Sequence, residues 1–290
     1  MRTPAQFILL LALVSSLGAC AANTTSRAGD APHRTPAAQA GARPPASPAP
    51  RNALPVIHVF VALCDNEHQG IVPVPQKLGD GEDPASNLYW GAAYGVKTFF
   101  RKSKDWELVA EYANPRPAIL ERLVLRHRRR EALLVADAYR GSEIKQCTVD
   151  FLEAAAGAAG ETLRVELGGK QVEFHTGGSA GLLSYVGHDG LRDFRLPYLP
   201  QKRDDLRRDV IILACASKNY FAAPLRQTGA TPLLWTTNLM APEAYTLERA
   251  ADGWLNAETG EQVRARAAAV YNKYQRCGLR SATNLFATGF

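Results

Sequence analysis

Four apolar runs of strand length constrain this chain more than any other feature. "VIHVFVALC" (56–64), "ALLVADAY" (132–139), "GLLSYVGHDG" (181–190) and "VIILACAS" (210–217) are apolar at most positions. A strand with one wet face alternates apolar and polar residues. A strand that is apolar throughout must be covered on both faces, the condition of a parallel sheet between layers of helices. "WELVAEY" (106–112) and "PLLWTTN" (232–238) read as further strands, and "TLRVELGGKQVEFHT" (162–176) as a β-hairpin turning at Gly168 and Gly169. Helical patterns fall between them. Asn87 is placed to cap "LYWGAAYGVKTFFRKS", and Pro117 to open "AILERLVLRHRRR". Ser142 precedes "EIKQCTVDFLEAAAGAA", and "SKNYFAAPLRQTG" reads as a helix that Pro224 should keep short. "TGEQVRARAAAVYNKYQRCG" is a final helix with an acidic start, a basic end and Gly278 as terminator. This alternation predicts an α/β fold: a three-layer sandwich, a mostly parallel sheet with helices on both faces.

The fold is expected to start well inside the chain. Met1 and Arg2 precede "FILLLALVSSL", an apolar core of signal-peptide length that is too short to span a membrane comfortably. "LGAC" (17–20) follows, and resembles the lipobox of bacterial lipoproteins. That resemblance implies cleavage before Cys20 and a lipid on its sulfur. The alternative is an ordinary secretory signal cut near "ACA". Ala21, where an aspartate is absent, points by the same analogy to the outer membrane of a Gram-negative cell, facing the periplasm or the cell surface. Residues 20–53 are rich in Ala, Pro, Thr, Ser, Gly and Arg. They offer too little apolar surface to offset chain entropy, and read as a disordered tether. The α/β domain is expected over residues 54–290.

The net charge of +6 is a mild excess for 290 residues. "RHRRR" (126–130) supplies much of it, and reads as a solvated helix end near anionic lipid heads. Nucleic-acid binding would need more basic clusters with aromatics among them. No glycine-rich phosphate fingerprint follows a strand, so a nucleotide enzyme has little support. No Cys/His cluster has metal-ligand spacing, and neither a metal nor another cofactor is expected. Export would place Cys64, Cys147, Cys215 and Cys277 in an oxidising space where disulfides are permitted.

In open parallel sheets, ligands bind beyond the carboxyl ends of the strands. His188, Cys215 and Asn238 each stand at such an end, as do Cys64 and Asp65. A nucleophilic cysteine needs exposure at a strand–helix junction, a nearby base, and donors for the oxyanion. Cys215 has the position, and His188 can exchange a proton with a leaving amine. The turn from Gly187 to Gly190 lets backbone N–H groups approach a substrate. The structural alternative is that Cys215 is a small buried hydrophobe and His188 a turn residue. The loop "DNEHQGIVPVPQKLGDGEDPASN" is long enough to be functional, and His68 lies within it.

"LLSYVGHDG" and "VIILACAS", in that order, resemble the caspase-like cysteine peptidases, the group of caspases, legumain, gingipains, clostripain and separase. In that family an apolar strand ends in His-Gly. A later one ends in a small or polar residue, Cys, one variable residue, and Gly or Ser. This chain departs at one place: Asp189 stands between His188 and Gly190. The resemblance implies that Cys215 attacks a peptide carbonyl and His188 protonates the leaving amine. It implies that N–H groups of Gly190 or Asp189, and of Cys215, hold the oxyanion. The family's substrate pocket maps to Asp65–Gln69 and Thr236–Met240, with Asp65, Asn66, Thr237 and Asn238 as its candidates. Asp65 would then select Lys or Arg. The expected function is a lipid-anchored cysteine peptidase acting on a peptide or protein substrate, with no nucleic-acid partner. The rival is an inactive envelope lipoprotein of the same fold that binds a peptide or protein.

Overall fold

The computed structural model describes residues 49–290. The signal peptide, Cys20 and all but the last five residues of the expected tether lie outside the described residues. Those last residues dock: the Asn52 side chain donates to the carbonyls of His175 (2.8 Å) and Ser179 (2.9 Å) and accepts from the His175 N–H (2.7 Å). The chain then enters β1 (Val56–Ala62), whose seven residues are all buried.

One eight-stranded sheet organises the domain. Its strands are β1, β2 (Trp106–Arg116), β3 (Ile119–His127), β4 (Leu133–Tyr139), β7 (Leu182–Val186), β8 (Asp209–Leu213), β9 (Thr231–Thr236) and β10 (Phe286–Ala287). They lie in the order β10-β9-β8-β7-β1-β4-β3-β2. The five central strands pair in parallel, and β2, β3 and β10 run antiparallel at the two edges. Strands β5 (Ala159–Leu167) and β6 (Lys170–Gly177) form a separate hairpin.

Period-two alternation splits the apolar residues between two cores, one on each face of the sheet. Ile57, Val59 and Val61 of β1 join Leu134, Ala136, Ile211 and Leu213 in one core. That core is covered by α1 (Val96–Arg101), α4 (Ala244–Leu255), α5 (Gly260–Gln275) and α6 (Leu279–Leu285). Val56, Phe60, Leu133, Val135, Leu183, Tyr185 and Ile212 point the other way, beneath α2 (Ile144–Ala155) and α3 (Ser217–Thr228). The three-layer α/β architecture, mostly parallel with helices on both faces, is therefore as the sequence predicts.

Several local expectations are corrected. Residues 118–130 form strand β3 and its turn, not a helix. β3 pairs with β2 on one side and β4 on the other, and both its faces are covered, so its apolar residues are buried whatever their phase. "RHRRR" is accordingly the end of a strand and a hairpin turn. Arg126 and Arg128 pair with Glu107, and Arg129 with Asp105. Asn87 caps no helix: its side chain accepts from the Cys64 N–H (3.0 Å) and donates to the Cys64 carbonyl (2.8 Å), pinning the end of β1. The helix that follows covers only Val96–Arg101. Ser142 sits in a 3-10 turn before α2 and caps nothing. Pro224 lies inside α3 without ending it. Thr259 and Gln262 form a capping box at the start of α5.

Beneath the β5–β6 hairpin lies a buried ionic cluster. Arg122 forks onto Asp137 (2.6 and 2.9 Å) and onto Glu161 of the hairpin (2.7 and 3.0 Å). His58 Nε2 meets Asp137 at 3.1 Å, and His58 Nδ1 accepts from the Gly177 N–H at 3.1 Å. Burial alone would raise the Asp137 carboxyl, but the Arg122 and His58 hydrogen bonds outweigh it and take it down to about 2. Its contribution to stability is thus present above the ordinary carboxylate value and lost as pH falls towards 2. Arg122→Ala leaves the buried Asp137 with His58 alone and without its arginine counter-charge, and should lower the unfolding free energy by about 3–5 kcal/mol at pH 7. Urea denaturation checks this; a loss under 1 kcal/mol would refute the cluster's structural weight.

Candidate active site

The strand ladder sets the site. β7 and β8 are adjacent and parallel, with Val186 opposite Leu213. The ladder runs one step further, where the Gly187 N–H donates to the Leu213 carbonyl (3.2 Å). His188 lies two residues past Val186, and Cys215 two past Leu213. The two residues therefore lie at equal offsets past the last paired rung, just beyond the carboxyl ends of neighbouring parallel strands. Gly187 (φ +145°) allows the exit from β7, because a Cβ there would meet the Ala62 carbonyl at 2.7 Å.

Cys215 is held at a tight junction. Ala216 adopts φ 52°, ψ 32°, the left-handed conformation that non-glycine residues disfavour, and α3 begins at Ser217. The buried Ser217 and Thr236 hydroxyls lock that bend. Thr236 Oγ1 accepts from the Ser217 N–H (3.2 Å), Ser217 Oγ accepts from the Thr236 N–H (3.0 Å), and Ser217 Oγ donates to the Ile212 carbonyl (3.1 Å). Ala216 N–H donates to the Asn238 carbonyl (2.9 Å). The Cys215 sulfur contacts the N–H (3.4 Å) and the carbonyl (3.6 Å) of Met240. It is partly exposed. Burial raises its pKa; the Met240 N–H and Arg192 pull it back in part, and Asp189 pushes it up.

The four described cysteines are all free, and they differ in exposure. Burial pushes Cys64 up to about 11 and drives Cys147 well above its ordinary value. Both are therefore inert thiols in the folded protein. Cys277 is exposed.

His188 is nearly buried, and its Nε2 lies 2.7 Å from Oδ2 of Asp193. That oxygen also accepts from the Gly70 N–H (2.8 Å). A Cβ on Gly70 would meet Asp193 Oδ1 at 2.5 Å, so a side chain there would push the carboxylate from its present place. The His188 carbonyl accepts from the Tyr185 hydroxyl (2.8 Å). With Nε2 taken, Nδ1 remains for proton exchange. Among the described residues His188 and Cys215 share no hydrogen bond.

The expected oxyanion donors separate. The Gly190 N–H turns back onto the His188 carbonyl (3.1 Å). The N–H groups of Asp189 and Cys215 have no acceptor among the described residues. Asp189 is fully buried; its Oδ1 accepts from the Leu191 N–H (3.2 Å) and its Oδ2 has no partner.

The expected substrate-binding residues fall in two places. Asp65 spends its carboxylate on its own loop, accepting from the N–H groups of Glu67 (2.8 Å) and His68 (3.0 Å) and pairing with His68 Nδ1 (2.9 Å). Asn66 braces the same loop through Val74 (2.9 and 3.0 Å). Thr237 and Asn238, by contrast, line a cleft of about 390 Å³ with Leu239, Tyr271, Cys277, Ser281, Asn284 and Leu285. No charged side chain lines it. The segment that walls it runs on to Met240, which holds the Cys215 sulfur.

No family model, no curated protein and no solved structure matches this chain. The site therefore stands on its own geometry. The sequence pattern pointed to His188 and Cys215 but missed Asp193 and Gly70. Asp193 follows a turn five residues after His188, and only the fold of that turn returns its carboxylate to the imidazole. His175 bonds Thr162 across the hairpin (3.0 Å) and takes no part in the site. Among the described residues no group of three or more His, Cys, Asp or Glu is arranged to hold a metal ion.

Thiol accessibility checks this ranking. In the folded protein Cys277 should react with a disulfide reagent fast and Cys215 more slowly, while Cys64 and Cys147 react only after denaturation. Cys64 or Cys147 labelled as fast as Cys215 would contradict it.

Proposed function

We propose that this chain is a lipid-anchored, caspase-like cysteine peptidase with Cys215 as nucleophile and His188 as general acid and base. The observation that carries the reading is that His188 and Cys215 each lie two residues past a paired rung, beyond the carboxyl ends of adjacent parallel strands. Support comes from the order His before Cys and from the Asp193 carboxylate on the imidazole.

The chemistry follows from these groups. The Cys215 thiolate forms a bond to the peptide carbonyl carbon, and the carbonyl π pair moves to oxygen. The N–H groups of Cys215 and Asp189 hold that oxyanion. His188, protonated, gives its proton to the leaving nitrogen as the C–N bond breaks, leaving a thioester on Cys215. Water then attacks the thioester while His188 takes its proton, and the C–S bond breaks. Asp193 is a positioning residue: it fixes which ring nitrogen faces the reaction. The uncharged cleft at Thr237 and Asn238 suits a neutral side chain beside the scissile bond. The carboxylate of Asp65 is committed to its loop, which removes the ground for Lys or Arg selection.

Cys215→Ala should abolish labelling by a peptide-based electrophile and all peptide hydrolysis. His188→Ala should slow acylation by about 10²–10⁴-fold. Asp193→Asn should lower kcat with little change in KM, with partial rescue by Asp193→Glu. Full peptide cleavage by Cys215→Ala rejects Cys215 as the nucleophile; a Cys215 that no electrophile labels, in a chain that cleaves no peptide, rejects the peptidase and leaves the binding protein. For the anchor, Cys20→Ser should move the protein from the membrane to the soluble fraction. Unchanged membrane attachment of that variant rejects the lipid.

A further inference from the structure

Asp189 is the residue by which this chain departs from the family pattern, and it is also a buried carboxyl with one oxygen unmatched. An ionised carboxylate offers about four lone-pair positions. Here a single bond of 3.2 Å from Leu191 serves them. Leaving a buried charge so poorly compensated is costly, whereas a neutral carboxyl at the same place is not.

The groups that face it are few. On β7 stands Tyr185, whose hydroxyl is committed to the His188 carbonyl. On the same turn, Asp193 is a like charge bonded to His188, and Arg192 holds its guanidinium over the Tyr220 ring of α3 (5.9 Å) instead of bonding Asp189. From α2, Ile144 abuts Gly190, Lys145 lies over the Phe194 ring (5.9 Å), and Cys147 is a buried thiol. At the end of β8 stands Cys215. Burial, with a smaller push from Asp193, outweighs the Leu191 N–H and Arg192 and takes the Asp189 carboxyl up to about 7. Of the charges that act on the Cys215 thiol, Arg192 favours the thiolate and Asp189 opposes it. Arginine keeps its charge at every working pH. Asp189 does not.

We propose that Asp189 is a proton-controlled brake on Cys215: a neutral Asp189 permits the thiolate, and an ionised Asp189 suppresses it. This rests on Cys215 being the reactive thiol of the proposed site. The brake is buried one residue from His188, in the turn that leaves β7 beside the end of β8, so a single proton changes the field on the nucleophile without moving the backbone. As pH rises through about 7, Asp189 takes on charge, and the thiolate gained by ordinary titration is partly cancelled. Above neutrality the thiolate fraction then climbs less steeply than in the same site without the carboxyl.

The test compares wild type with Asp189→Asn in the full-length chain. Iodoacetamide alkylation is followed at the Cys215-containing peptide by mass spectrometry between pH 5.5 and 8.5. The rate ratio of variant to wild type should be near one at the acid end and rise about tenfold at the alkaline end, the size expected of a nearby like charge. Asp189→Ser, which also removes the charge, should give the same curve. A ratio that does not change with pH overturns the brake.

Unfolding supplies an independent readout. A carboxyl raised from 3.8 to about 7 in the fold keeps its proton when folded and loses it when unfolded, so wild-type stability falls as pH rises across that window. The stability gap in favour of Asp189→Asn should widen between about pH 4 and pH 7 and stay flat above. A gap that is flat across the window also overturns the brake. If the alkylation ratio follows pH but no peptide is cleaved, the brake stands and the peptidase reading fails. If peptides are cleaved and the ratio is flat, only the brake fails. A Cys215 unreactive at every pH in both proteins ends both.

Discussion

The parallel ladder between β7 and β8 is the constraint on which the rest of the site depends. Its register puts Val186 against Leu213, and the Gly187 N–H extends it by one more bond. Everything beyond is then counted in residues. His188 and Cys215 lie at equal offsets, two steps past the last paired rung. A slip of one residue would turn every side chain of one strand to the opposite face. That slip is forbidden by the two cores, because Leu183 and Tyr185 belong under α2 and α3 while Leu182 and Val186 belong to the other face. Apolar burial thus fixes the backbone from which two chemically active side chains project.

Around that ladder the chain closes the site from three directions. The Ser217–Thr236 lock fixes the left-handed bend at Ala216 and with it the direction of Cys215. The loop after β1 reaches Asp193 through Gly70, so the imidazole and the loop share one carboxylate oxygen. The segment after β9 holds the sulfur through Met240 and walls the uncharged cleft. On the proposed reading these are the nucleophile's mount, the base's orienter and the substrate wall. Asp189 adds a buried charge that comes and goes near neutrality, in a place where glycine would have carried none.

Where sequence and structure diverge, the divergence has a physical cause. Residues 118–130 fit a helical period because Ile119, Leu120, Leu123, Val124 and His127 are all buried. In a strand covered on both faces, burial follows no phase, so periodicity cannot distinguish the two. Asn87 looked like a helix cap because a side-chain amide satisfies a backbone N–H equally well at a strand end. Helix α4 buries Ala244, Tyr245, Leu247, Ala250 and Ala251, yet no capping residue in its sequence marks its start. The Asp193 carboxylate carried no signal, since an aspartate five residues past a histidine is met in many exposed turns.

The sequence by itself determined the layers and the polarity of this protein. Runs of apolar residues demand cover on both faces, and the alternation of strands and helices demands parallel strands, whose carboxyl ends are where His188 and Cys215 stand. Those are local properties of composition and period, and they survive without contacts. Only the tertiary structure decided which strands are neighbours, that β7 lies beside β8 in a register that sets the two residues at equal offsets, and that Asp193 and Gly70 meet at the imidazole. It also decided that Asp65 is spent on its own loop and that Asp189 is buried with an oxygen unmatched. Each of these depends on what lies across a gap in the chain. A residue's burial and partners are set by packing between elements, and no local pattern encodes them.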